Sequence, residues 1–152
     1  MHLFTATKLI LMVKHNYLAI LVMVIASMVL GFAWYGFLFA EPWVWNAFHK
    51  TIPEMQASMK HDASEAIPYV VNIICMILTC FYASWLIVKL NIAGFMAGAI
   101  VGLYTSIGLV GPVIAIHYMF LMISKKVLLI DVSFSCVVTI LIFGVLAAWR
   151  KK

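Results

Sequence analysis

From Gly94 to Met122 the chain passes without one formally charged side chain. It reads Gly94-Phe-Met-Ala-Gly98-Ala-Ile-Val-Gly102, then Gly108-Leu-Val-Gly111-Pro112, then Ile116-His117-Tyr118. A run this long and apolar belongs in a lipid bilayer. Gly94, Gly98 and Gly102 recur every four residues and so share one helix face, where a neighbouring backbone can approach closely. Gly111-Pro112 predicts an interruption, because proline brings no N–H and its ring crowds the preceding turn.

The rest of the chain agrees with that solvent. Of 152 residues, 66% are hydrophobic and only 10% charged, against roughly 45–50% and 25% in soluble domains. So short a chain has no interior large enough to hide this surface, and the expectation is an all-α integral membrane protein forming a single domain over 1–152. The net charge of +5 is no argument for nucleic acid. The basic residues sit mainly at segment ends, where they meet lipid headgroups and set topology. Cys75, Cys80 and Cys136 lie in apolar runs with no Cys-x-x-Cys pair, and read as small buried hydrophobes.

Hydropathy predicts four transmembrane helices, at about 16–40, 68–90, 92–122 and 127–149. The first is too long for a signal core and lacks a small-x-small cleavage pattern at Leu38-Phe39-Ala40, so it reads as a permanent helix. Residues 1–15 form a basic stretch with a short apolar patch, and either Met1 or Met12 suits as a start. Glu41-Pro42 is expected to end the first helix. In the following loop Thr51-Ile-Pro-Glu54 is a capping-box pattern, with Ile52, Met55 and Met59 at helical spacing. It predicts a short amphipathic interfacial helix at about 52–62 between the first and second spans. The third span would measure about 46 Å if wholly helical, so it must tilt, bend or project.

Four spans put both termini on one side. With the termini inside, the inner face holds Lys8, Lys14, Lys89, Arg150, Lys151 and Lys152, and the outer face Lys50, Lys60, Lys125 and Lys126. Six against four favours cytoplasmic termini.

The few polar groups inside the spans gather toward the face opposite the termini: Trp34 and Tyr35 on the first, Asn72 on the second, His117 on the third, Asp131 on the fourth. An aspartate at mid-helix costs about 2.5–3.5 kcal/mol on insertion scales, so it favours a partner, and His117 is the candidate. Such groups are candidate sites by default; a polar clasp fixing the hairpin is the competing reading. Met55, Met59 and His61 invite a soft-metal reading, but the two methionines are equally the apolar face of the short helix. No phosphate loop, zinc spacing or nucleophile elbow is present. No catalytic residue, metal ligand or cofactor is assigned, and an enzyme is disfavoured. The glycine series serves either packing within the chain or contact between copies, and a homo-oligomer is expected.

Asn16-Tyr-Leu-Ala-Ile-Leu-Val, Leu30-Gly31-Phe-Ala-Trp34-Tyr35 and Leu38-Phe39, followed by Trp43 or Trp45, resemble the opening of a family of small bacterial inner-membrane proteins. That family is catalogued only as a domain of unknown function. Gly98-Ala-Ile-Val-Gly102, Ile107-Gly108, His117-Tyr118-Met119-Phe120 and Gly144-Val-Leu-Ala-Ala-Trp149 resemble its later part. The resemblance implies a four-span fold in the inner membrane and no activity. The family often has asparagine where His117 stands, which argues against an indispensable base there. The functional expectation is a protein that transports or binds a small solute or ion, with an accessory subunit packed on another membrane protein as the alternative.

Overall fold

A computed structural model describes residues 14–59 and 62–150. Among them every regular element is helical, and four helices are long and apolar enough to cross a membrane: Tyr17–Leu38, Ala63–Lys89, Phe95–Phe120 and Lys125–Ala148. The four-helix membrane architecture read from the sequence therefore holds.

The first span opens as α1, Tyr17–Ala33, capped by the Asn16 side chain, which accepts from the Ala19 N–H. It closes with a π-helical turn, Trp34–Leu38, in which the Phe39 N–H reaches back five residues to the Trp34 carbonyl at 2.8 Å. Glu41-Pro42 does not end the helical course as expected. Phe39 leaves helical geometry, and Pro42 then sits in the first turn of a new helix, α2, Ala40–Phe48. The reason is the same missing N–H: in a first turn it would have no partner anyway, so proline starts a helix as readily as it stops one. His49 in left-handed geometry turns the chain, and α3 follows over Ile52–Ala57 with both halves of the Thr51–Glu54 capping box formed. This helix is shorter than the 52–62 expected; Lys60 and His61 fall outside the described residues.

A 3-10 turn, Ala63–Ala66, leads into α4, Ile67–Lys89, with Pro68 in its first turn. The third span comprises α5, Phe95–Thr105, a π turn, Ser106–Val110, and α6, Gly111–Phe120. No break occurs at Gly111-Pro112. The Gly111 N–H bonds to the Ser106 carbonyl instead, and the extra residue loosens the turn on which the Pro112 ring would otherwise press. The fourth span is α7, Lys125–Ala148, capped by Ser124.

α7 is the helix against which the others are laid, with 39% of its most apolar window buried against 28%, 22% and 17% in the first, second and third spans. The core joins Ala19, Ile20, Met23 and Val24 of α1, Cys80, Ala83 and Ile87 of α4, and Val138, Ile142, Phe143, Leu146 and Ala147 of α7. α5 approaches α7 most closely. A Cβ on Gly98 would stand 2.3 Å from the Phe143 carbonyl oxygen, and one on Gly102 2.7 Å from that of Thr139. Gly144 answers from α7, where the Phe95 ring covers it. Gly94 takes no part in this packing: it has φ of 87° and open space around it, and serves as the residue before α5. At this end the outer helices are tied together. The Asn16 amide donates to the Trp149 carbonyl at 2.8 Å, and the Arg150 guanidinium to that of Ile92 at 3.2 Å. Most of the remaining surface is aliphatic and aromatic, as lipid contact requires.

Candidate functional site

Asp131 lies six residues into α7, about 9 Å along the helix from Lys125, and is only 9% exposed. Three donors from three elements reach its carboxylate. The Tyr35 hydroxyl, on the π turn of the first span, donates to Oδ1 at 2.8 Å. The Trp43 indole N–H, on α2, donates to the same oxygen at 3.0 Å. The Tyr118 hydroxyl, near the end of α6, donates to Oδ2 at 2.6 Å. All three donors are neutral. Hydrogen bonds to a charged acceptor are short and strong, and these hold a carboxylate in an apolar setting with no basic side chain bonded to it among the described residues.

Local geometry explains how these groups meet. Asp131 and Phe134 are three apart on α7 and so face the same way. The Phe134 ring packs edge-on to Tyr35 at 5.0 Å, and Tyr35 in turn to Trp43 at 5.3 Å. Trp43 gains its position because α2 folds back over the bundle end, where the Ser124 hydroxyl that caps α7 also donates to the Asn46 side chain at 3.3 Å. Tyr118 depends on the second π turn. In an uninterrupted helix it would lie about 200° around the axis from Gly98, turned away from α7. The extra residue takes back about 100° and brings the phenol toward Asp131.

The residues expected to form a pocket divide. Tyr35 and Asp131 are joined directly. Trp34 stands beside them, its ring against Phe39 and Phe134, but its indole N–H is buried without an acceptor and does not reach the carboxylate. His117 is exposed; the partner expected for Asp131 is replaced by the next residue, Tyr118. Asn72 lies apart on α4, bonded to the Met28 thioether at 3.4 Å. Trp43 and Tyr118 were missed as site residues. Trp43 read as an interfacial anchor, and the choice between positions 117 and 118 turns on a π turn that leaves no mark in the residue types.

Among the described residues no three His, Cys, Asp or Glu side chains gather as a metal site. Met55 and Met59 lie on and just after α3, and His61 is outside the described residues. An open cleft of about 520 Å³ between α2 and α3 is lined by Glu41, Trp45, Lys50 and Ile52 among others, and not by Asp131.

Residues 18–147 match the model of a family described as a protein of unknown function, DUF1761. The chain belongs to the DUF1761 family. The match takes in all four spans and every residue of the Asp131 cluster, so the cluster lies within the family's domain. No curated protein and no solved structure matches the chain. Membership in DUF1761 thus brings a domain and no chemistry, and the chemistry must be argued from Asp131.

Proposed function

We propose that this DUF1761 protein binds and passes a small monovalent cation at Asp131. It would sit in a bacterial inner membrane, with its termini in the cytoplasm and α2 and α3 at the outer headgroup level. The observation that carries the reading is a buried carboxylate held only by neutral donors. One negative charge is left to be balanced, and intramembrane acids of this kind mark ion paths.

The geometry suits a hard cation. A carboxylate offers about four lone-pair positions, and three are taken by Tyr35, Trp43 and Tyr118. Oδ2 retains an open position, and the phenol oxygens beside it are further oxygen ligands of the type alkali cations prefer. Trp43 has a donor alone and stays on Oδ1, whereas Tyr35 and Tyr118 can turn their hydroxyls to present lone pairs. The ring of Tyr35, Trp43 and Phe134 excludes water and adds its negative faces to the attraction.

The test is flux. Purified protein in proteoliposomes is expected to pass sodium, potassium or protons, and its thermal stability to rise in the salt of the ion that passes over choline chloride. Asp131→Asn keeps an acceptor for Trp43 and lets Tyr118 reverse its bond, so the fold is retained while the charge is removed. Flux and salt-dependent stabilisation should fall at least about tenfold, corresponding to about 1.4 kcal/mol. Unchanged flux and unchanged ion dependence in that variant would overturn the reading.

A further inference from the structure

The second span leaves one polar side chain poorly served. α4 is buried along Cys80, Ala83, Ser84 and Ile87 in its second half, while every residue from Ile67 to Cys75 is exposed. Asn72 stands in this lipid-facing stretch. Its Nδ2 donates to the Met28 sulfur at 3.4 Å, a weak acceptor, and its carbonyl oxygen accepts nothing among the described residues. Hydrocarbon offers no other partner. In steps of three and four the same flank carries Cys75, Thr79 and Tyr82, with Cys75 exposed and Tyr82 46% exposed. This is the narrow seven-residue seam along which two helices pack. It lies about 110° around α4 from the buried stripe, beside the bundle and open to a partner.

We propose that this flank docks on the same flank of a second copy of the chain, with the two Asn72 amides hydrogen-bonded across a twofold axis. The amide selects the occupant. It carries a donor and an acceptor, so the identical group turned by a twofold meets both needs. A single asparagine in an apolar seam also fixes a two-stranded register. The glycines that might have joined copies are spent inside the chain, where Gly98 and Gly102 lie on the α7 backbone. The dimer does not depend on the cation reading.

Native cysteines provide the test. Cys75 is one turn from Asn72 on the seam and exposed, whereas Cys80 is buried and Cys136 lies on α7. Across a twofold seam the Cys75 pair falls within the roughly 7 Å Cα separation a disulfide demands. Mild copper–phenanthroline oxidation of the full chain in lipid nanodiscs or vesicles should give a covalent dimer reversed by dithiothreitol. The product should persist when both Cys80→Ser and Cys136→Ser are present, and vanish with Cys75→Ser. Asn72→Leu, at an exposed position that leaves the core intact, should lower the yield about three- to tenfold. Light scattering of the unmodified protein should independently show a dimer. Monomer by scattering at every detergent ratio, linkage through Cys136, an Asn72→Leu yield equal to wild type, or a different membrane protein occupying the face would each overturn the proposal.

Discussion

Asp131 concentrates more of the fold than any other single side chain, because its three bonds reach the first span, α2 and the third span at once. Removing one donor leaves a buried carboxylate oxygen short of a partner. Tyr118→Phe should therefore destabilise the protein by about 1–3 kcal/mol, read as a lower melting temperature in detergent, while His117→Phe at the exposed neighbour should change it by less than about 0.5 kcal/mol. Equal effects at the two positions would contradict the geometry. The acid itself was legible in the sequence, since a carboxylate in an apolar run stands out against its surroundings. Its partners were not. Tyr, Trp and His occur at span ends for interfacial reasons alone, and composition does not separate an anchor from a donor.

At the scale of elements, hydropathy located the four spans to within a few residues, because twenty or so apolar positions leave little choice of ends. Proline was less informative. Pro42 and Pro112 both read as breaks; one begins α2 and the other is carried through a π turn. Both π turns precede residues that bond Asp131, and their effect is rotation: each adds a residue to a turn and shifts all that follows by about 100°. The glycine spacing was visible, but its partner was not, and the structure puts the α7 backbone there. Gly98→Ala would force α5 and α7 apart, the new Cβ meeting the Phe143 carbonyl oxygen at 2.3 Å. A loss of about 1–3 kcal/mol or more is expected. Gly108→Ala, with nothing within 4 Å, should be neutral or slightly stabilising and controls for helix propensity. Melting curves of the two variants decide the matter; similar values would place the close contact elsewhere.

Across the whole molecule the two ends differ. One is closed by the Asp131 cluster, the other by the ties of Asn16 to Trp149 and Arg150 to Ile92. His15 belongs to the second end, with its Nδ1 2.9 Å from the Ser84 hydroxyl. Burial holds its pKa below the ordinary 6.5. Between the two values the unfolded chain binds the extra proton, so stability is full above pH 6.5 and declines as pH falls through that range. A pH series of melting temperatures should show this slope and its flattening in His15→Gln. A different consequence follows from the order in which the ribosome delivers the parts. Tyr35, Trp43 and Tyr118 all precede Asp131 along the chain, so each donor can enter the bilayer before the acid that needs it. The last helix thus arrives at a berth already furnished with hydrogen bonds, and its insertion is made to wait upon the success of the earlier ones.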